Sequence, residues 1–475
     1  MEPWRQDATA LAGLLDGGQV SAPGLLAHFR DRIDRLNPAL NAVICLSGTA
    51  ADEARASADR RAAGRPLGPL DGLPILIKDN FVVRGMPATW GSALFADRVC
   101  DHDEIPVERL RAAGAVIVGK TNVPEFTVEG FTENRLFGTT PNPWDLSLIP
   151  GGSSGGSVAA VAAGMIPFSV GTDGGGSVRR PAAYTNLVGL KTSVGRIPRG
   201  GGLPQLLLDM ETVGPITRTV RDQALLFDVL AGADPRDHRS LPFPAPRARA
   251  TLEQAPGPLR VLAVERFGDA PVEGEIVDSF RRMVDLVERL GHRVTHGPLP
   301  LDIGPVNAHW TTIADMGLGL LLRREPRMAE LASPKYVEWA RRAYDAQHLL
   351  TVLEIIAELR NRAARVFTDV DVIMTPACAA MPWPTGTPFP ETIDGTPVGP
   401  RGSAVYSGWV NATGHPAISV PGRRSPAGLP IGIQFVGAFA ADEVLLRLAR
   451  QIEKVQDWHG DWPAVAATDP EGRAP

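Results

Sequence analysis

The sequence has 475 residues, a formal net charge of −5 and 44% apolar residues, which is typical of a globular chain with a sizeable core. Its lysines and arginines are scattered and no run of about 18 apolar residues occurs, so neither nucleic-acid binding nor a membrane-spanning helix is expected. The 50 glycines and 43 prolines form no low-complexity repeat, which predicts many tight turns rather than disorder.

Cysteine and histidine spacing indicates neither a disulfide framework nor a metal site. Cys45, Cys100 and Cys378 are far apart and form no CxxC pair, which fits a protein of the reducing cytoplasm. Acidic residues interrupt the N-terminal segment where a secretory signal needs an apolar stretch. His292 and His296 lie in GHRVTHG, a pattern typical of a strand after a helix. We therefore expect no metal ion and no other cofactor.

Helical and strand patterns alternate along the chain. Apolar residues recur at helical spacing in five segments, which cover about 22–36, 107–113, 276–290, 353–363 and 442–455. Short apolar runs rich in β-branched residues predict buried strands at LPILIKD (73–79), AVIVGK (115–120), LRVLAV (259–264) and VDVIMTP (370–376). This alternation predicts an α/β sheet that is covered on both faces.

Residues 114–121 (GAVIVGKT) match the P-loop pattern GxxxxGK[ST] letter for letter. A P-loop is a flexible turn whose amides wrap around phosphates, whereas the middle residues here are β-branched and form the predicted strand itself. The context therefore argues against nucleotide binding at this segment, and an NTP-dependent enzyme is kept only as an alternative.

The first glycine-rich turn, 151–157 (GGSSGGS), contains GxSxG centred on Ser154, the pattern of a nucleophile elbow. An elbow follows a buried strand, and the three prolines in 141–150 make that strand unfavourable. The nominal histidine partner, His415, is followed by a proline and nothing else distinguishes it. A turn that opens a helix accounts for the glycines, but not for three clustered hydroxyl groups.

The second glycine-rich turn, 171–177 (GTDGGGS), directly follows the apolar residues IPFSV. Three consecutive glycines remove every Cβ from this turn, so that successive backbone N–H groups can converge on one point, as an oxyanion hole requires. Ser177 at its edge could then attack a carbonyl carbon. A plain tight turn explains these residues equally well when they are taken alone.

Lys78 follows the apolar residues ILI within a predicted buried strand. Burial disfavours the ammonium form, so part of the lysine population can be neutral near pH 7 and act as a base. A serine nucleophile needs such a base, and no histidine is an obvious candidate. A lone lysine in a strand is commonly an edge or snorkelling residue. Its combination with the turns at Ser153 and Ser177 favours a catalytic role.

The run PGGSSGGSVAAVAAGMIPFSVGTDGGGSVRRPAAYTNLVGLKTSVGRIPR (150–199) closely resembles the amidase signature family. GLPILIKDN, VGKTNVPEF, ETVGPITRTVRDQALLFDVLAG, NATGHPAISV and GLPIGIQFVG are similar to that family as well. The resemblance extends from about residue 8 to residue 455 and is weakest over about 240–350. It implies one large α/β domain with a central mixed, mostly parallel, twisted β-sheet and helices on both faces.

The resemblance also implies a domain organisation. We expect an amidase signature domain over 1–462 and a flexible tail over 463–475. Within the domain the expected regions are N-terminal helices at about 5–65, a catalytic core at about 66–230, a helical substrate-pocket region at about 265–365, and C-terminal strands and a helix at about 366–456.

The site residues implied by the resemblance form a Ser–cis-Ser–Lys triad. Ser177 resembles the nucleophile, Ser153 the bridging serine after a cis peptide bond from Gly152, and Lys78 the general base. The implied substrate contacts are the backbone amides of the nucleophile loop, together with a backbone position near the substrate: Gly174, Gly175, Gly176, Ser177 and Thr127. Asp173 and Arg179 are motif positions that we expect to brace the loop.

The expected activity is hydrolysis of a carbon–nitrogen amide bond by a stand-alone amidase, with esters, carbamates and anilides as further candidate substrates. The main alternative is an amidotransferase A-type subunit that releases ammonia from glutamine for a partner enzyme. The GTDGGGS ending and Arg180 depart from the typical residues of that subunit. A non-catalytic binding protein on the same scaffold is a further alternative. The expected partner is a small amide, and the expected assembly a monomer or homodimer.

Substrate side groups are expected to be recognised by 200–210 and by the helical stretch 305–350. Aromatic residues in the second stretch suggest a bulky or hydrophobic substrate: Trp310, Tyr336, Trp339 and Tyr344. The same aromatic residues also fit an ordinary hydrophobic core.

Overall fold

The structure of the chain is a computed structural model that describes residues 2–467. Its helices are α1 (Ala8–Asp16), α2 (Ala22–Leu40), α3 (Ala50–Ala62), α4 (Ile105–Ala112), α5 (Gly155–Ala162), α6 (Arg179–Tyr184), α7 (Val220–Leu230), α8 (Ala248–Thr251), α9 (Gly274–Arg289), α10 (Gly304–Ala308), α11 (Trp310–Arg324), α12 (Met328–Leu331), α13 (Pro334–Ala340), α14 (Ala346–Asp369), α15 (Gly408–Thr413) and α16 (Asp442–Glu453). None of these helices is both long and apolar enough to cross a membrane.

The strands include every segment that the apolar runs predict. They are β1 (Val43–Leu46), β2 (Pro74–Lys78), β3 (Val116–Thr121), β4 (Glu133–Asn134), β5 (Gly138–Thr139), β6 (Phe168–Asp173), β7 (Val188–Lys191), β8 (Thr212–Thr217), β9 (Arg260–Ala263), β10 (Arg293–His296), β11 (Val372–Pro376), β12 (Thr392–Ile393), β13 (Thr396–Pro397), β14 (Ala417–Pro421) and β15 (Gly432–Gly437). His296 closes β10 directly after α9, which confirms the strand predicted after a helix.

Eleven strands form one sheet in the order β1-β3-β2-β6-β8-β7-β14-β15-β11-β9-β10. Parallel pairing joins β3, β2 and β6 on one side and β11, β9 and β10 on the other. The remaining neighbours, from β6 to β11 and at β1–β3, pair antiparallel. The sheet is mixed, as expected. Antiparallel pairs outnumber parallel ones, so the prediction of a mostly parallel sheet was wrong.

Helices cover the sheet on both faces, as the alternation of elements predicts. On one face α5 packs on β2, β6 and β8, and α6 packs on β7, β14 and β15. On the other face α7 packs on β7 and β8, and α16 packs on β14 and β15. Fully buried strands such as β2 and β3 carry continuous apolar runs because both of their faces are covered.

A helical excursion from α10 to α14 lies within the region expected to form the substrate pocket. The boundaries of that region, and those of the other three regions, remain predictions. Residues 463–475 were expected to form a flexible tail. Its first residues contain a 3-10 turn, Ala464–Ala467, and the Ala466 carbonyl accepts a hydrogen bond from Arg32. The rest of that expected tail, 468–475, lies outside the described residues.

Candidate active site

The candidate site lies where parallel strands β2 and β6 end. Leu76 pairs with Ser169 and Ile77 with Val170, so Lys78 at the end of β2 lies beside the end of β6. The carboxyl ends of neighbouring parallel strands meet at one edge of a sheet, which is where ligands bind in open α/β folds. The glycine-rich loop that leads to Ser177 leaves β6 at this same edge.

Lys78 is completely buried and hydrogen-bonded on three sides. Its Nζ donates to Ser153 Oγ at 2.8 Å, to Thr172 Oγ1 at 2.9 Å and to the Thr172 carbonyl at 3.1 Å. Burial lowers the pKa of Lys78 to about 7, although the negative charges of Glu211 and Asp173 oppose the shift. A substantial fraction of this amine is therefore neutral near pH 7.

Ser153 lies in the turn before α5, and the peptide bond Gly152–Ser153 is cis. The resemblance implied this cis bond from the sequence. Its neighbour Ser154 donates its backbone N–H to the Ser177 carbonyl at 3.2 Å and its Oγ to the Thr172 carbonyl at 3.3 Å. These two bonds hold the turn of Ser153 against both β6 and the loop of Ser177.

Ser177 is 7% exposed and stands at the end of the glycine-rich loop. Within residues 2–467 the Oγ of Ser177 forms no hydrogen bond, so the hydroxyl groups of Ser153 and Ser177 are not bonded to each other. Hydrogen bonds between catalytic groups often reach their short length only when a substrate binds. The Gly176 amide, one of the expected substrate contacts, donates instead to Asp173 Oδ1 at 2.7 Å. Among the described residues, the backbone amides of Gly174, Gly175 and Ser177 donate to no acceptor.

The carboxylate of Asp173 holds this loop through several hydrogen bonds and one ion pair. It accepts the backbone N–H groups of Gly176, Val178 and Arg179, and the Arg179 guanidinium forms a fully buried ion pair with it at 2.8 Å. Burial alone would raise the pKa of Asp173, but Arg179 and the donated hydrogen bonds lower it far below its usual range. Asn411 Nδ2 donates to the same carboxylate at 2.9 Å. Asp173 and Arg179 brace the loop as expected.

The walls of the site come from distant segments of the chain. A Cβ added at Gly174 would lie 2.7 Å from Leu207 Cδ1, and one added at Gly175 would lie 2.9 Å from Trp310 Cζ2. Both neighbours fall in the stretches that the sequence assigned to side-group recognition. The other aromatic residues of the second stretch have structural contacts: Tyr336 and Trp339 pack edge to face at 5.4 Å, and the Tyr344 hydroxyl donates to Asp315.

Thr127 lies in a 3-10 turn with a left-handed backbone, at a φ of 58°. Its Oγ1 accepts from Trp90 Nε1 at 3.0 Å and donates to the Phe126 carbonyl at 2.6 Å. Among the described residues it forms no hydrogen bond with Lys78, Ser153 or Ser177. Its expected substrate contact remains a prediction.

Sequence reasoning missed a chain of polar residues behind Lys78. Asn80 Nδ2 donates to Thr172 Oγ1 at 2.8 Å and to Glu211 Oε1 at 3.1 Å, and Arg199 Nη1 donates to the same Glu211 oxygen at 2.9 Å. Asn80 and Thr172 are letters of the motifs IKDN and GTD, so the motifs contain a signal for both. Glu211 and Arg199 have no local pattern that marks them.

The alternative motifs have other roles. The P-loop-like segment is strand β3 itself, and Lys120 forms a fully buried ion pair with Asp79 at 3.1 Å while donating to the Phe81 carbonyl. The ring of His415 stacks on Phe367 with centroids 4.7 Å apart. Among the described residues, His415 forms no hydrogen bond with Ser154. The same residues contain no cluster of His, Cys, Asp and Glu that could hold a metal ion.

Comparison with known proteins identifies the family. The model of the family described as Amidase matches residues 24–446. The chain belongs to the amidase signature family. It is 34% identical to the A subunit of the Glutamyl-tRNA(Gln) amidotransferase of Methylococcus capsulatus, over 98% of this chain and 99% of that protein. The corresponding protein of Chloroflexus aggregans is 34% identical over 96% of this chain and 97% of that protein.

Solved structures of this amidase family match the fold closely. The 6-aminohexanoate cyclic dimer hydrolase in complex with its substrate is 30% identical, with a TM-score of 0.88, and the match covers 97% of this chain and 99% of that one. A bacterial aryl acylamidase of the amidase signature enzymes is 29% identical, with a TM-score of 0.88, covering 95% of this chain and 96% of that one. The α/β fold of this amidase-family chain is therefore that of known amidase signature enzymes.

Proposed function

We propose that the chain cleaves a carbon–nitrogen amide bond, with Ser177 as the nucleophile, Ser153 as the bridging hydroxyl and Lys78 as the base. One observation carries the proposal: a completely buried lysine, whose pKa is lowered by burial to about 7, donates to Ser153 Oγ at 2.8 Å. A buried lysine in this position serves as a base rather than as a surface charge. The family membership supports the same chemistry.

In the acylation step the neutral amine of Lys78 takes the proton of Ser153 as Ser153 takes the proton of Ser177. Ser177 Oγ attacks the carbonyl carbon and forms a tetrahedral intermediate. The amides of Gly174, Gly175 and Ser177 are the donors for its oxyanion, because the Gly176 amide already binds Asp173. Each oxyanion donor of this kind contributes about 3 kcal/mol of transition-state stabilisation.

Collapse of the intermediate breaks the carbon–nitrogen bond. The proton held by Lys78 returns through Ser153 to the leaving nitrogen, and the amine departs while the acyl group stays on Ser177. A water molecule then attacks the acyl-serine, passes one proton back along the same two residues, and releases the carboxylic acid. Ser177 recovers its proton, so the cycle needs no reagent besides the amide and water.

The released product distinguishes two functions. In a stand-alone amidase, ammonia or an amine leaves as waste, which agrees with the names of the solved relatives, a hydrolase and an acylamidase. In the second candidate function the amide is glutamine and the ammonia passes to a partner enzyme. Curated relatives at 32–34% identity are amidotransferase A subunits, which favours this second function over the first. Ester, carbamate and anilide cleavage would use the same machinery.

Replacement of the nucleophile tests the shared chemistry. Ser177→Ala is expected to reduce amide hydrolysis by more than about 10⁴-fold, because the bond between Ser177 Oγ and the carbonyl carbon of the substrate can no longer form. Ser147→Ala is the matched control, since Ser147 is exposed and its hydroxyl donates to Asp145, outside the proposed relay. Its activity is expected to stay within about tenfold of the original. Full activity of Ser177→Ala, with an unchanged melting temperature, would overturn the assignment.

A substrate comparison separates the two functions. The purified chain is given glutamine, primary amides and p-nitroanilides, and ammonia or amine release is measured without any other protein. Turnover of amides or anilides well above that of glutamine supports a stand-alone amidase. Glutamine turnover that rises strongly when amidotransferase partner subunits and charged tRNA are added supports the amidotransferase function.

A further inference from the structure

Two arginines beside the nucleophile loop lack acidic partners. Arg180 follows Arg179 in α6, and Arg401 precedes the 3-10 turn Gly402–Ala404. Arg179 is engaged by Asp173 and by other acceptors, whereas Arg180 and Arg401 form neither an ion pair nor a side-chain hydrogen bond with residues 2–467. The Nε atom of Arg180 is buried and has no hydrogen-bond partner.

Arg180 lies against the glycine-rich loop itself, and Arg401 lies against the segment that packs on that loop. A Cβ added at Gly176, the residue before the nucleophile, would lie 2.7 Å from Arg180 Nε. A Cβ added at Gly408 would lie 2.8 Å from Arg401 Nη2. Ser407 joins the two sides, because its Oγ donates to the Gly175 carbonyl at 2.8 Å. Arg180 therefore contacts the glycine-rich loop directly, and Arg401 lies next to Gly408, which follows the Ser407 that is bonded to this loop.

The position of Arg401 is fixed by an aromatic ring. Its Cζ lies 4.4 Å from the centre of the Trp310 ring, and the same Trp310 contacts the glycine loop at Gly175. A guanidinium held over an aromatic face keeps its plane, which prepares its N–H groups for a planar ligand. Trp310 thus positions the guanidinium of Arg401 at the wall of the candidate site, in addition to providing an apolar surface.

Placing two unpaired cations together in a half-buried setting is unfavourable without an anion. Burial, with a smaller contribution from the charge of Arg180, lowers the pKa of Arg401 to about 9. Buried charges in proteins are normally paired, and a buried donor without an acceptor costs free energy. A ligand that brings negative charge between the two groups would remove both costs.

We infer that Arg180 and Arg401 form a carboxylate-binding subsite, so that the amide cleaved at Ser177 carries a carboxylate group near its carbonyl or its leaving nitrogen. This inference rests on the proposed function and specifies its substrate class. The fork of N–H donors on a guanidinium matches the two oxygens of a carboxylate. The subsite replaces the sequence-based suggestion of a merely hydrophobic substrate with that of an acidic one.

Binding to the inactive Ser177→Ala protein tests the subsite independently of turnover. Two pairs of compounds are titrated by calorimetry: succinanilic acid against butyranilide, which differ on the acyl side, and 4-acetamidobenzoate against acetanilide, which differ on the leaving group. In at least one pair the carboxylate is expected to bind about 10- to 100-fold more tightly. Equal or weaker binding of the carboxylate in both pairs would overturn the inference.

Two substitutions then test the assigned residues. In the Ser177→Ala background, Arg180→Met and Arg401→Met keep most of the side-chain volume but remove the donors, and each is expected to lower the carboxylate preference by about tenfold or more. Arg65→Met, an exposed arginine in the turn after α3, is the matched control and should leave the preference unchanged. If either site variant unfolds, Arg180→Gln or Arg401→Gln, which removes the positive charge, replaces it. A preference that survives in all folded site variants would contradict the assignment.

The outcomes separate this inference from the proposed function. In one outcome, the protein with Ser177 intact cleaves neutral anilides, Ser177→Ala does not cleave them, and no carboxylate preference is found. That result rejects the subsite and leaves the proposed chemistry in place. Hydrolysis that persists in Ser177→Ala rejects the proposed chemistry, whereas the binding preference measured by calorimetry stands or falls on its own.

Discussion

The base role proposed for Lys78 requires its amine to be neutral, and the buried position of Lys78 makes the ammonium form costly. Lysine in water is charged at pH 7, but burial lowers the pKa of this one to about 7. Its three acceptors are the hydroxyls of Ser153 and Thr172 and the Thr172 carbonyl, none of which carries a charge. A lysine with this pKa can gain and lose a proton near pH 7, as the proposed mechanism requires.

The pH dependence of activity should reflect the ionisation of Lys78. Because the neutral amine is the proposed base, kcat/KM of the wild-type protein on an uncharged amide is expected to rise tenfold per pH unit below about pH 7 and to level off above it. Initial rates between pH 5 and 9 measure the profile, with melting temperatures at each pH as the control. An activity that falls as the pH rises through 7 would contradict a lysine base.

The charge of Glu211 is expected to influence the pH at which kcat/KM rises. Burial is the main cause that lowers the pKa of Lys78, and the negative charge of Glu211 opposes it. Glu211→Gln keeps an oxygen acceptor for Arg199 and Asn80 but removes the charge, so the rise in kcat/KM should move to lower pH. Glu443→Gln removes a carboxylate that pairs with Arg196 at 3.1 Å and should leave the profile in place. A shift to higher pH in Glu211→Gln would contradict this electrostatic account.

At the scale of elements, the ends of strands and the loops that follow them make the site. Apolar runs predicted β2, β3, β9 and β11 within one or two residues, because a strand covered on both faces needs such a run. The glycine-rich segments could be placed next to Lys78 from family motifs. Glu211 and Trp310 could not, since no local pattern signals a contact that arises only when distant segments pack together.

The Asp173 brace is expected to hold the loop and much of the local stability. Asp173→Asn leaves the buried Arg179 without its charged partner, and breaking a buried pair in this way costs about 3–5 kcal/mol. Asp461→Asn is the matched control, because its ion pair with Arg424 is solvent-exposed and contributes less than about 1 kcal/mol. Urea unfolding of both variants measures the free energies. Equal losses in the two proteins would show that Asp173 is not a brace.

At the scale of the whole molecule, the sequence predicted the layers better than the order of the strands. Alternating patterns were enough for a sheet with helices on both faces. They do not specify direction, because the antiparallel return of β14 and β15 depends on which strands become neighbours. The helical spacing of α2 likewise placed Phe29, Ile33 and Leu36 inward, without showing that Arg32 lies on the same buried face.

Arg32 links three parts of the chain that are far apart in sequence. Its guanidinium donates to the carbonyls of Gly164 at 2.7 Å, Ala163 at 2.8 Å and Ala466 at 3.0 Å, and it lies over the ring of Trp4 at 4.0 Å. Ala163 and Gly164 end α5, the helix whose opposite end follows Ser153. One side chain thus connects α2 and the 3-10 turn Ala464–Ala467 to the end of α5, the helix that begins just after Ser153 and Ser154.

Removal of these donors should destabilise the whole domain. Arg32→Met keeps the packing against Trp4 but leaves three carbonyls in a buried region without the donor they share, which is expected to cost about 3 kcal/mol in the free energy of unfolding. Arg35→Met, one turn further along α2, loses only a partly exposed ion pair with Asp31 and should cost about 0.5 kcal/mol. Urea titration of the two variants gives both values. A loss for Arg32→Met no larger than that for Arg35→Met would mean that the ends of the chain are held by their apolar contacts instead.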